Sequence, residues 1–215
     1  MRLCIARIIL ISLMVAAVPA AAQFDVYDNG PTDGYTLGQV INFGVAVSDQ
    51  FTLGGNTNIT GITFAAWLFP GDFLESVDVS VTSSEFGGTS YFDQTVNFTA
   101  SGCFSNGGFN VCNESGTIAF GLGAGSYWLN LSNAVSELGN PVYWDQNSGP
   151  SLASNSSVGT IPSESFSLFG FPGGCGAGSN APDCPPPPTS PEPGSLLLFG
   201  SGVMALSLAG SRKYL

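Results

Sequence analysis

Histidine is missing from this 215-residue chain, and its four cationic side chains stand only at the ends, as Arg2, Arg7, Arg212 and Lys213. From Gln23 to Ser211 there is no Lys, Arg or His, yet all 15 acidic residues fall in that stretch. A body of this kind can form no ion pair between its own side chains. Its stability must come from apolar burial, backbone hydrogen bonds and disulfides. Nucleic acid is excluded as a partner of the body, because phosphate binding rests on Lys and Arg contacts, and anionic lipid surfaces are disfavoured by the same repulsion. The usual general bases, Schiff-base nucleophiles and phosphate clamps are also missing. Neutral polysaccharide, divalent cations and basic proteins remain as company.

Helical periodicity is equally scarce between the two ends. The apolar residues recur with period two, the spacing of strands with one buried face. Ile41, Phe43, Val45 and Val47 share a face in Gln39 to Val47, and Val77, Val79 and Val81 alternate with Asp78, Ser80 and Thr82. The same alternation marks Thr95 to Thr99, Thr117 to Phe120, Ser126 to Leu131 and Glu164 to Leu168. Gly, Asn, Pro and Asp punctuate the intervals. Many short strands with turn signals predict an all-β fold, an antiparallel β-sandwich of jelly-roll type, over residues 23–171. Residues 172–190 read as a Pro/Gly-rich linker with a disulfide-sized loop, and Pro185 to Pro188 favour polyproline II.

Cysteine is sparse and even in number once Cys4 is set aside, leaving Cys103, Cys112, Cys175 and Cys184. In an oxidising compartment, which the two ends of the chain imply, this predicts two disulfides. Of three connectivities, Cys103 with Cys112 and Cys175 with Cys184 close short Gly- and Asn-rich loops. Zinc is disfavoured because the close C-x2-C spacing and histidine are both missing.

The two ends read as address labels. At the start, Arg2 and Arg7 precede an apolar run from Ile8 to Val18 and small residues before an expected cleavage between Ala22 and Gln23, the pattern of a signal peptide over residues 1–22. This implies passage through the Sec machinery and signal peptidase. At the far end, Pro191-Glu192-Pro193 is followed by an uncharged apolar stretch from Gly194 to Ser211 and then by the basic stop Arg212-Lys213. As a helix over about residues 194–211 this stretch would span about 27 Å, close to a roughly 30 Å hydrocarbon core. Basic residues after it would keep that end in the cytoplasm.

Residues 191–215 resemble the PEP-CTERM sorting signal of Gram-negative bacteria, in which a tripeptide, a membrane helix and a basic end occur in this order. The resemblance implies recognition by exosortase, a membrane-embedded cysteine protease, with the membrane helix as an anchor before processing. It further implies a destination at the cell surface or extracellular matrix and an association with exopolysaccharide and biofilm.

Candidate sites in the body are few. Asp25, Asp28 and Asp33, with Asn29, supply the hard oxygens calcium prefers, although such density is also ordinary turn chemistry. Trp128 is expected on the outer face of its strand, and Tyr143-Trp144-Asp145 precedes a Gly-Pro turn, so Trp128 and Trp144 are candidate glycan platforms. Trp67, beside Leu68 and Phe69, reads as core. A glycosidase needs only two carboxyls, but no spacing pairs any of Asp72, Glu75, Asp78, Glu85, Asp93, Glu137, Asp145 or Glu164. The expected role is therefore non-catalytic, structural or carbohydrate-binding, and the alternative is a secreted carboxylate-dependent glycoside-active enzyme.

Overall fold

A computed structural model describes residues 24–33 and 37–173. The signal segment, Cys175, Cys184, the proline run and the sorting signal lie outside them. Twelve strands follow one another without a helix among the described residues: β1 Phe24–Asp28, β2 Gly38–Val40, β3 Ala46–Leu53, β4 Thr57–Leu68, β5 Leu74–Ser84, β6 Gly87–Asn106, β7 Phe109–Leu122, β8 Gly125–Ser136, β9 Tyr143–Asp145, β10 Ala153–Asn155, β11 Gly159–Ile161 and β12 Phe166–Pro172. They form one antiparallel sheet in the order β1-β12-β4-β7-β6-β5-β8-β3-β10-β11, with β9 bonded to both β2 and β4. The all-β antiparallel expectation is met.

The sheet curls, and β6 is where it turns. Over its 20 residues its first part pairs with β5, as in Val77 with Val96, and its second part pairs with β7, as in Phe98 with Gly116. One arm therefore holds β1, β12, β4, β7 and the end of β6, and the other holds the start of β6 with β5, β8, β3, β10 and β11. The inward residues of both arms meet in one apolar core. Val77, Val79 and Val81 are fully buried there with Val47, Leu129 and Leu131, facing Ile59, Ile62, Phe64 and Leu168. Without cations to pair with, this packing carries the fold, at roughly 1.5–3 kcal/mol for each large apolar side chain removed from water.

The stretch Gln39 to Val47 is corrected by the structure. It is two strands separated by a tight turn, in which the Val45 N–H donates to the Asn42 carbonyl at 3.1 Å. Phe43 and Gly44 both take positive φ, 55° and 81°, and Phe43 is 68% exposed where alternation had placed it inside. A glycine following Asn-Phe was the turn signal, and the apolar alternation masked it.

Candidate functional site

The structure gives each aromatic candidate a definite place. Trp144 is completely enclosed: its indole N–H donates to the Ser165 carbonyl at 2.8 Å, and its ring packs edge-on against Phe64 and Phe166. An indole with no exposed face cannot stack on a sugar, so Trp144 is a core residue. Trp128 lies on the outer face as expected, half-buried in β8 opposite Gln50 of β3 and Thr82 of β5. Trp67 is buried, as its neighbours suggested.

The calcium candidates do not converge. Asp25 is exposed in β1, Asp28 accepts the Gly30 N–H at 2.9 Å and the Ser167 hydroxyl at 3.1 Å, and Asp33 acts on the neighbouring Asp145 carboxyl through its charge. Among the described residues no three Asp, Glu or Cys side chains are grouped to hold a metal ion. Asp72, one of the carboxylates drawn up for catalysis, is instead a clasp. It accepts the Phe73 and Leu138 N–H groups at 2.9 and 3.0 Å and the Asn140 amide at 2.9 Å. Burial works against its charge, and these donors outweigh burial, holding the carboxyl below its usual range. Cys103 and Cys112 are disulfide-bonded, cross-linking the β6–β7 hairpin.

Four carboxyls are fully buried: Asp49, Glu114, Asp145 and Glu164. With no cation available inside the body, desolvation dominates each of them. It pushes Asp49 and Asp145 up to about 6 and Glu114 up to about 7. Glu164 is raised well above its ordinary value, first by burial and then by the Asp49 charge. Glu114 stands alone on the inner face of β7, between Phe64 on β4 and Ala100 on β6, and neither of its oxygens has a hydrogen-bond partner among the described residues. Asp49 is better held. It accepts the Glu164 N–H at 2.7 Å and the Asn29 amide at 3.1 Å, and Asn29 also donates to Ser151 and Ser163. This knot ties the end of β1 to β3 and to the approach to β12. Its Asp49 and Glu164 carboxyls are sealed from solvent.

Two openings lie elsewhere, on the outward face of β4 and β7, where Ala65, Trp67 and Val111 are themselves buried. Thr63, Ala65 and Trp67 alternate outward along β4, paired with Ser115, Asn113 and Val111 of β7. Ser167, Thr63, Ser115 and Thr99 stand in direct register across β12, β4, β7 and β6, making a row of hydroxyls. A cleft of about 450 Å³ lies over this region, with Asp28 and Pro31 on one side and Ser101 and Asn113 on the other. Further along the same face a cavity of about 190 Å³ is lined by Trp67, Phe109, Tyr143 and Gly38. Phe109 meets Trp67, Phe69 and Tyr143 edge-on, with centroids 5.9, 5.0 and 5.9 Å away. Sequence reading picked Trp144 from the Tyr143-Trp144-Asp145 triplet, whereas strand alternation puts its neighbour Tyr143 at the surface. Phe109 and the register of β7 left no comparable signal.

Residues 191–213 match the family model of the PEP-CTERM protein-sorting motif. The chain thus carries a sorting signal of the exosortase-substrate type, which marks an exported protein. No curated protein matches the chain.

Proposed function

We propose that the protein is a non-catalytic component of the cell surface or extracellular matrix, delivered there by exosortase processing at its PEP motif, where it binds neutral exopolysaccharide. The sorting motif at residues 191–213 is the observation that carries this reading, since it sends a cation-free, acidic body to a place where sugar polymers are the abundant surface. Export would begin with the Sec machinery and signal peptidase, and the apolar segment after the motif would hold the chain in the membrane until cleavage. Polyanionic character suits a neutral glycan, because anionic polymers are repelled and no compensating cation exists. Enclosure of the buried carboxyls favours binding over hydrolysis. The curled sheet suits such a role as a sandwich of jelly-roll type, with successive connections such as β3–β4, β4–β5 and β7–β8 passing between the arms.

Co-sedimentation of the full chain, in mild detergent, with the producing organism's own exopolysaccharide tests the proposal. Pelleting that saturates and is competed by soluble polysaccharide is the expected result. A chain that stays in the supernatant at every polymer concentration would overturn the glycan-binding reading.

A further inference from the structure

We infer that the outward face of β4 and β7 is the glycan-binding site, with the hydroxyl cleft and the aromatic pocket as its two openings for a neutral oligosaccharide segment. The inference rests on the glycan-binding reading above and names its location.

The two parts offer complementary chemistry. Sugar rings present apolar C–H faces and polar hydroxyl edges. Phe109 and Tyr143 line the pocket half-buried beside the buried Trp67, and Phe69, 36% exposed, packs edge-on against Phe109. Aromatic faces of this kind hold apolar surface while their edges stay wet. In the cleft, the hydroxyls of Thr63 and Ser115, the Asn113 amide and the Asp28 carboxylate offer both donors and acceptors, as the edge of a sugar ring requires. Among the described residues no cationic group faces either cavity, which selects against phosphate, sulfate and uronate. The larger cavity falls within the usual range of ligand sites.

The aromatic pocket depends on a close backbone approach. A Cβ on Gly38 would lie 2.9 Å from the Tyr143 Cβ and 3.1 Å from the Trp144 carbonyl oxygen. Glycine lets β2 pair tightly with β9, as in Gly38 with Asp145, and so fixes Tyr143 beside Phe109. Trp128, the half-buried indole candidate, belongs to the opposite arm, opposite Gln50 and Thr82, and neither of these two cavities includes it.

The test uses the full chain in mild detergent and three probes: insoluble cellulose, insoluble β-1,3-glucan and the producing organism's exopolysaccharide. Tyr143→Ala removes a pocket ring, and Ser115→Trp fills the cleft from an exposed strand position. Each should weaken pelleting about tenfold or more, the equivalent of about 1.4 kcal/mol, while Trp128→Ala leaves it unchanged and circular dichroism and melting show all three folded. Wild-type affinity in folded Tyr143→Ala and Ser115→Trp would overturn this site and leave the glycan-binding reading standing. Loss of pelleting in Trp128→Ala alone would move the site to the other arm. A wild-type chain that binds none of the probes would overturn the reading and the site together.

Discussion

The Trp67 indole donates its N–H to the Asp145 carboxylate, joining β4 to β9 across 78 residues of sequence. Both partners are buried, and Asp145 is pushed up to about 6 by burial, against which this hydrogen bond works. Trp67→Phe keeps an aromatic ring but removes the donor together with part of the indole's buried volume. It should destabilise the fold by about 1–3 kcal/mol, the cost of an unsatisfied buried acceptor, and thermal melting would show it. Because the donor favours the charged carboxylate, the loss should be greater near pH 8 than near pH 5. An equal loss at both would mean the bond does not stabilise the charge.

Carboxyls whose folded pKa is raised bind more protons in the native chain than in the unfolded chain, so stability falls as pH rises. That contribution is complete below the unfolded carboxylate values, near pH 4, and is lost as pH climbs through about 6 for Asp49 and Asp145 and about 7 for Glu114. The body should therefore melt at a higher temperature near pH 5 than near pH 8, the reverse of a fold held by ion pairs. Glu114→Gln should remove only part of that slope, about 3 kcal/mol at about 1.36 kcal/mol per pKa unit, with Asp49, Asp145 and Glu164 supplying the rest. A melt that is pH-independent in the wild-type chain would contradict this.

Trp144→Ala should act on stability first. Its ring is wholly buried between Phe64 and Phe166, and removing a buried aromatic costs about 3–5 kcal/mol. Urea unfolding should show a midpoint lowered by that loss divided by the m-value, with any change in glycan binding following from unfolded protein alone.

The Cys103–Cys112 bond closes a loop across a separation of nine residues. Loop-closure entropy at that length corresponds to about 2–3 kcal/mol. The double variant Cys103→Ser, Cys112→Ser should lower the melting temperature accordingly. Non-reducing peptide mapping of the wild-type chain should recover these two cysteines in one linked fragment.

Glu192→Ala alters the PEP tripeptide without touching the body. Cells producing it should accumulate full-length chain in the membrane fraction, where the wild type yields a shortened, released form. Immunoblots of fractionated cells read the difference directly, and equal release would remove exosortase from the account.

Much of this architecture could be read from alternation alone. Val77, Val79 and Val81 were placed on a buried face and are fully buried, and Ser126 to Leu131 lies within β8 with Leu129 and Leu131 inside. Where alternation spans a turn it misleads, as at Phe43, because the period-two signal carries no information about φ. Length was under-read for β6 and β7, whose hairpin runs on through Ser, Thr, Gly and Asn positions that look like loop. The knot of Asn29, Asp49 and Glu164 was out of reach, since it joins residues up to 135 positions apart. The aromatic pocket was half in reach: the Tyr143-Trp144 pair was visible, but which ring faced outward was decided by the pairing of β9 with β2 and β4.

Strand β12 lies second from the edge, with β1 bonded along one side and β4 along the other. It is the strand that leads into the segment carrying the sorting signal. A pull transmitted along that segment therefore enters the body through a strand gripped from both flanks, and detaching it means parting two ladders together instead of peeling one. While the sorting signal still holds the chain in the membrane, as proposed before processing, this arrangement puts the tow-line on an inner plank rather than on the gunwale.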